Sequence, residues 1–437
     1  MRNIAILLTA TALAGCGGDA QTVGSAGSVS TGTVTTGGTP TDTFVAPTTI
    51  KIYQAQTATQ SYSYNYDEYV HYSKVQGTDP ATGAPMVDAN GKPVLVLDPN
   101  SRTVVDAVQS KQLYTANAST VRSPASTVTY DPRNAQFTLV INDTRAGANI
   151  SFQDPAHRTD FSGATTPQRG VPNLEVGDPS QWRTKGVQYL QVDSGSTDQV
   201  YDVTTFFYEL PTTATNNYVS YAGYVRNHYD APTETVLKDT ATGQDALIRR
   251  PTKLDRAAFV FGQQTSNNAV PVSGSATYTG NMIASMVNNP DFDIDPTART
   301  YFQWISGTAT VAVNFGSGVV NTSLTGTVGA PLFDATPIKP STNSFTPPAP
   351  AIATGSSFSA TSSAAIDLVK TGGFTGQFGS ASFVSNGVTK PVDIVGSSLD
   401  GAFYGPKAEE IGASFRVVGG VPDQRVDIIG AFIGKKP

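Results

Sequence analysis

Apolar and polar residues alternate along most of this chain in short runs, separated by Gly, Asn, Asp and Pro. Alternation puts every second side chain on one face, the period of a half-buried strand. Tyr62, Tyr64 and Tyr66 alternate with Ser63 and Asn65, so the three rings share one strand face. Val94 to Leu97 follows Asn90-Gly91, a pair that tolerates positive φ and predicts a hairpin turn. Ser126–Tyr130 and Gln136–Ile141 flank the turn cluster Asp131-Pro132-Arg133-Asn134. Further strands are predicted at Val187–Val192, Thr204–Leu210, Tyr218–Arg226 and Ala257–Gly262, with a short pairing near Ser151-Phe152 and Phe161 and a long loop over 160–183. Nearer the C-terminus, Gly274–Gly280 opens a second series. Gly307–Phe315 turns through Gly316-Ser317-Gly318 into Val319–Gly326, and a Pro-rich loop precedes Phe358–Ile366, Gly373–Phe378 and finally Asp427–Gly434. The expected fold class is all-β: a β-rich domain over 49–265, then an eight-stranded antiparallel β-barrel over 266–437. Closing about eight strands into a barrel removes the exposed sheet edges.

Before these strands the pattern changes. Arg2 and the short apolar run Ile4–Leu13 read as a secretion signal, too short to span a bilayer. Leu13-Ala14-Gly15-Cys16 has the form of a lipobox, so residues 1–16 predict a lipoprotein signal with Cys16 as the lipidated residue. An ordinary cleaved signal with a chance cysteine is the alternative; the order of apolar core, small residues and cysteine favours lipidation. Gly17 follows the cysteine where an Asp would favour inner-membrane retention, so the anchor is expected in the outer membrane. Residues 17–48 are rich in Gly, Ser and Thr, carry only Asp19 and Asp42 as acids, and predict a flexible tether.

Composition narrows the function. Charged residues make up 14% of the chain, against about 25% for average soluble domains. A net charge of −6 excludes a nucleic-acid partner as the natural reading, because phosphates need a basic face. Cys16 is the only cysteine, which rules out an intramolecular disulfide and a cysteine metal site. The histidines are His71, His157 and His228, and no two have ligand spacing. His71-Tyr72 and His228-Tyr229 carry ligand types that bind ferric haem, but an axial pair needs a tertiary pocket; no cofactor is otherwise expected. Asp291, Asp293 and Asp295 alternate as calcium-binding carboxylates do, yet the glycine and distal glutamate of an EF-hand loop are missing, and a solvated acidic loop serves as well. Tyr62, Tyr64, Tyr66, Tyr69 and Tyr72 form either a contact surface or one packed sheet face. No Gly-x-Ser-x-Gly elbow, phosphate loop or HExxH helix occurs, and the adjacent Glu409 and Glu410 fall in a predicted turn, so no enzyme is expected.

The segment 401–415 reads Gly-Ala-Phe-Tyr, then Gly-Pro-Lys-Ala-Glu-Glu as a tight turn with one short helical step, then Ile-Gly-Ala-Ser-Phe. Its Gly401, Phe403, Tyr404, Gly405, Pro406, Ala408, Glu410, Gly412 and Phe415 resemble the last-hairpin signature of the transferrin-binding protein B family of surface lipoproteins. Ala413 stands where that family usually has a second Gly. Phe259–Gly262, the stretch 271–280, the 307–324 hairpin and Ile429–Gly434 follow the same family pattern in order. The resemblance implies a handle domain followed by one barrel, in a lipoprotein of the outer membrane displayed at the cell surface. It implies non-enzymatic capture of a ligand, such as an iron-carrying protein or another solute, for delivery to an outer-membrane transporter. The signature residues carry a structural role, and no ligand-binding residue transfers to this sequence. Two rival readings remain: a direct haem or small-solute binder, and a structural or adhesive surface lipoprotein.

Overall fold

The computed structural model describes residues 49–116, 120–131, 136–142, 147–153, 187–195, 201–209, 216–289, 300–332, 352–420 and 425–437. Nearly all of them are strand. The first sheet contains β1 (Lys51–Gln76), β2 (Leu95–Leu97), β3 (Thr103–Ala116), β4 (Val121–Asp131), β5 (Gln136–Ile141) and β6 (Ala148–Gln153). It continues with β7 (Val187–Gly195), β8 (Tyr201–Glu209), β9 (Val219–Tyr229), β10 (Thr233–Asp239) and β11 (Gly243–Gly262). Its order is β6-β5-β4-β1-β11-β9-β8-β7. Two long strands form its spine: β1 and β11 pair antiparallel from Ala55↔Phe261 to Ser73↔Gly243. At one end β1 also pairs with β4, and at the other with β3 and then β2, while β10 caps the far end of β11.

The second sheet contains β12 (Ser275–Asn289), β13 (Tyr301–Asn314), β14 (Val319–Leu332), β15 (Ser357–Asp367), β16 (Gly373–Ser385), β17 (Val388–Pro391), β18 (Asp393–Tyr404), β19 (Glu410–Gly420) and β20 (Arg425–Lys435). Its order is β15-β14-β13-β12-β20-β19-β18-β16, and β15 pairs with β16 to close the ring. That ring is the eight-stranded antiparallel barrel the sequence predicted; β17 is a short extra strand on β16. The alternation is explicit in β15, where Phe358, Ala360 and Ala364 point into the barrel and Ser357, Ser359, Thr361 and Ser363 point out. The lumen is filled by side chains, with Phe358, Phe374, Phe378, Phe403, Phe415 and Phe432 in one continuous core.

Several sequence expectations need adjusting. Sequence reading breaks β1 and β11 into short pieces, because buried polar residues interrupt the alternation, and misses β3 and β10; β10 is exposed at every position and so presents no buried apolar face to read. The turn after Tyr404 contains no helical step: Gly405 and Ala408 both adopt positive φ, 87° and 58°. Glu410 lies not in that turn but at the first position of β19. The 160–183 loop, the second half of the Ser151-Phe152/Phe161 pairing and most of the Pro-rich loop fall outside the described residues.

Candidate functional site

The barrel and the first domain meet over a broad face. Outward side chains of the barrel (Ile283, Val287, Trp304, Ala402, Ala431, Ile433) pack against Tyr62, Tyr64, Val219, Tyr221, Ala258 and Val260. Trp304 is held edge-on by Phe207 at 5.0 Å and Phe302 at 5.2 Å between ring centres. Tyr62 stacks on Tyr64 at 5.3 Å and shares a 2.8 Å hydrogen bond with Thr300. A residual cavity of about 10 Å3 beside them is the size of one water. So Tyr62, Tyr64 and the partly buried Tyr66 form a packed face, while Tyr69 is exposed on its own.

Polar groups fix the angle of this joint. Arg256, fully buried on β11, reaches between β12 and β20. It donates to Gln60 Oε1 (3.1 and 2.9 Å), to Ser285 O (2.9 Å) and Oγ (3.1 Å), and to Asp427 O (3.2 Å). The buried Asp427 carboxylate lies 3.6 Å from Arg256, with Arg416 and Arg425 at 3.4 and 3.5 Å. A buried charge persists only when paired in this way.

The 401–415 signature belongs to the same joint. Tyr404 donates its hydroxyl to Gln56 Oε1 at 2.7 Å. The Glu410 carboxylate accepts the backbone N–H groups of Asn217 (2.5 Å), Tyr218 (2.8 Å) and Val219 (3.0 Å), which closes off the start of β9. Burial nevertheless pushes the Glu410 pKa up, against those hydrogen bonds. Gly405 N–H donates to Gln263 O, and Thr265 donates to Phe403 O and Gly405 O, so the connection from β11 threads the signature turn. Ala408 O accepts from Tyr278 Oη at 2.7 Å. A Cβ at Gly412 would come within 2.9 Å of Val219 Cγ2, so any larger residue there forces Val219 to shift. Phe403 and Phe415 fill the barrel, and Pro406 is exposed at the turn.

Exposed apolar groups gather instead at the far end of the first domain. Residues 77–94 form a loop tied by two Asx turns: Asp79 Oδ1 accepts from Ala81 N, and Asp88 Oδ1 from Asn90 N and Lys92 N. Gly83 and Gly91 take the positive φ at its bends. Met86 Sδ and Val96 Cγ1 lie over Gly77, where a Cβ would meet them at 3.1 and 3.0 Å. Val75, Met86, Val87, Leu95 and Val96 are all exposed there, and Val236 and Leu237 are exposed on β10 nearby in the sheet. The strands leading to this end are clamped further along. Arg249 holds Asp67 through two parallel 2.7 Å bonds, and Arg102 bonds the buried Glu68. Burial acts to raise the Asp67 pKa, but the bonds from Arg249 and Ser110 outweigh it and hold the carboxyl below its usual range. At Glu68 burial wins and the pKa is raised. An apolar patch on a rigid polar base suits recognition of a partner surface.

A second concave feature is an open groove of about 690 Å3 on the barrel wall. There β16 and β18 pair only from Phe374↔Gly401 to Gly376↔Leu399, and Ser397 Oγ accepts from Phe378 N where main-chain pairing stops. Thr375, Gln377, Ser397, Ser398 and Asp400 line the groove, with Thr120 across from them.

The remaining candidates are scattered. His71 shares a 2.7 Å contact with Asp245, and His228 lies 3.3 Å from Asp230. Their strand partners on β11, Asp245 and Lys253, are eight positions apart, so the structure does not bring the two histidines together. Burial raises the Tyr72 pKa, and Arg102 hydrogen-bonds its hydroxyl. Tyr229 is buried. Cys16, His157, Asp291, Asp293 and Asp295 lie outside the described residues. Among the described residues no three His, Cys, Asp or Glu side chains gather as a metal site, and no helix is long and apolar enough to cross a membrane. The exposed end of the first domain had one legible signal, the Asn90-Gly91 turn; its exposure had none.

Residues 270–436 match the family described as the C-lobe and N-lobe beta barrels of Tf-binding protein B. Among solved structures, a transferrin-binding protein B double mutant from Haemophilus parasuis Hp5 is 12% identical, aligns over 86% of this chain and 76% of its own, and gives a TM-score of 0.29. The isotype 1 transferrin-binding protein B of serogroup B Neisseria meningitidis is 10% identical over 90% of this chain and 77% of its own, at 0.24. A mutant from Actinobacillus pleuropneumoniae H49 is 14% identical over 51% and 78%, at 0.23. No curated protein matches the chain.

Proposed function

We propose that this chain, whose residues 270–436 match the barrel family of Tf-binding protein B lobes, is a non-enzymatic surface lipoprotein that captures a ligand with the exposed end of its handle domain. The observation that carries the reading is the exposed cluster of Val75, Met86 and Val96 on one face of the sheet end, in a sheet that Arg249 and Asp67 clamp further along. The barrel and the signature hairpin act as the scaffold that holds that end outward. Cys16 anchors the chain in the outer membrane, and residues 17–48 let the folded part stand away from the surface. The ligand is a protein, most plainly an iron carrier that an outer-membrane transporter then strips. The filled barrel lumen supports surface recognition over enclosure of a solute.

The test is affinity capture from iron-starved medium supplemented with ferric carriers and haemoproteins, read by mass spectrometry. The unaltered chain should retain one carrier over a control bait, and Met86→Asp with Val96→Asp should release it. Retention of none, or equal retention by the variant, sinks the reading. The groove beside Ser397 favours a second reading, direct binding of a small solute. Titration with hemin and with free ferric chelates distinguishes it: saturable binding that Gln377→Trp abolishes supports the groove.

A further inference from the structure

The chain from Cys16 joins the fold at Thr49, where β1 begins beside one rim of the barrel. Tyr404 of that rim contacts Gln56, and Ile52 lies on the same strand face about 13 Å further out. Thr265 bonds the signature turn at Gly405 O, and Asn267 bonds Leu368 O in the β15–β16 turn at 2.7 Å. Lys435, at the end of β20, pairs with Glu410 and Thr279. The start of β1, the two turns and the end of β20 therefore share one end of the molecule.

Two kinds of exposed side chain meet there. Ile50 and Ile52 are each 62% exposed, Val272 83% and Val369 96%. Lys370, Lys407 and Lys435 are exposed among them, and Lys436 donates to Lys407 O at 3.2 Å. Asp367 and Glu409 are half-buried and accept from the backbone of Lys370 and Lys407 in their own turns, at 2.9 and 2.7 Å. Asp131 is half-buried and Glu410 is buried, so every exposed charged side chain described at this end is a lysine.

Lysines interspersed with branched aliphatic side chains suit one class of partner. Protein interfaces are depleted in Lys and favour Tyr, Trp, Met and Arg. A phosphate-bearing lipid surface attracts lysines, and their apolar neighbours enter the headgroup boundary. The chain's net charge of −6 does not oppose this. The acids of the far end, such as Asp79, Asp88 and Glu234, belong to the segments beyond the other end of β1. Ile52 and Val75 are up to about 75 Å apart along β1, against a screening length of about 8–10 Å. Position supplies the second argument. A coil with the composition of residues 17–48 spans about 30 Å, so an anchor at Cys16 keeps this end, rather than the far end, within reach of lipid. A tethered contact of that kind needs only about millimolar affinity to be occupied.

We propose that this end docks on an anionic lipid surface and so points the Val75, Met86 and Val96 cluster away from the membrane. The proposal rests on the anchoring of Cys16 given above, and adds an orientation to it.

The test couples the full chain through the thiol of Cys16, its single cysteine, to a maleimide lipid in vesicles. The vesicles are either rich in phosphatidylglycerol or pure phosphatidylcholine. Acylation of each lysine by a water-soluble succinimidyl ester is followed by mass spectrometry. On the anionic vesicles Lys370, Lys407 and Lys435 should react about threefold more slowly than on the neutral ones, and high salt should restore their rates. Lys92 and Lys238, at the far end, should react equally on both. Lys370→Glu with Lys407→Glu should remove the protection of Lys435. Lys92→Glu with Lys238→Glu, an equal change in net charge, should leave it intact. Circular dichroism checks that each variant is folded. Equal rates at Lys370, Lys407 and Lys435 on the two kinds of vesicle overturn the proposal, as does equal slowing at Lys92 and Lys238 or loss of protection in the far-end pair. Because the anchor is supplied chemically, this outcome is separate from lipidation itself, which palmitate labelling of the unaltered chain against Cys16→Ser decides in cells.

Discussion

Replacing Arg256 by Met tests whether the handle and the barrel are one cooperative unit. Met matches the length of the arginine stem, so little cavity is left, and the loss is mainly polar. Gln60 Oε1 loses both of its guanidinium donors, and the acceptors on Ser285 and Asp427 lose theirs. A buried acceptor left without a partner costs about 1–3 kcal/mol. Breaking a buried ion pair by removing one partner costs about 3–5 kcal/mol. Asp427 keeps Arg416 and Arg425 nearby, so its charge stays partly compensated and the lower half of that range, about 3–4 kcal/mol, is expected. Urea unfolding of the Cys16→Ser chain, followed by tryptophan fluorescence, reads the effect where it arises, because Trp304 lies in the joint. A Trp182→Phe background leaves Trp304 as the sole reporter, since the chain has two tryptophans. Adding Gln60→Leu to Arg256→Met removes the orphaned acceptor and should recover about 1 kcal/mol or more. A loss below about 1 kcal/mol, or no recovery in the double variant, would refute the claim that this network carries the joint.

Other changes test neighbouring contacts. Tyr404→Phe leaves Gln56 Oε1 without its donor and should cost about 1–2 kcal/mol in the same urea assay; an unchanged midpoint argues that water replaces the hydroxyl. Gly401→Ala puts a Cβ 2.1 Å from Phe374 Cζ and should cost about 1–3 kcal/mol, whereas Gly379→Ala meets open space and should be nearly neutral. Similar losses at both sites would contradict the close-approach argument. Asp67 has a folded pKa below its unfolded value. Its contribution is therefore complete above the unfolded pKa near 3.9 and is lost as pH falls through the folded value. Stability curves of the unaltered chain and Asp67→Asn should converge between about pH 5 and about pH 2, and parallel curves would rule out a salt-bridged Asp67.

Much of the architecture was legible because a barrel strand has one wet and one dry face. In β15 the written order Ser-Phe-Ser-Ala-Thr-Ser-Ser-Ala already names Phe358, Ala360 and Ala364 as core residues; only the buried Ser362 breaks the rule. The handle was harder to read, and β1 shows why. Between Ala55 and Tyr62 every residue is buried, yet Gln56, Thr57, Thr59, Gln60 and Ser61 are polar. The alternation rule assumes that polar means exposed, and here four of these five buried polar residues are satisfied by distant groups, Thr59 being the exception. Gln56 meets Tyr404, Thr57 meets Ser126, Gln60 meets Arg256 and Ser61 meets Asp255. Those partners lie 69 to 348 positions away, beyond any local window.

The same distance explains the signature hairpin. Its glycines and aromatics are readable as a strand, a turn and a strand, but Glu410 has no meaning until the start of β9 lies against it. A carboxylate that seals the backbone of another domain constrains that position as tightly as a catalytic role would. The hairpin therefore marks where the domains join. Val75, Met86 and Val96 touch solvent, whereas Tyr404, Glu410 and Arg256 each answer to groups in the opposite domain, so a change at the joint disturbs two domains at once.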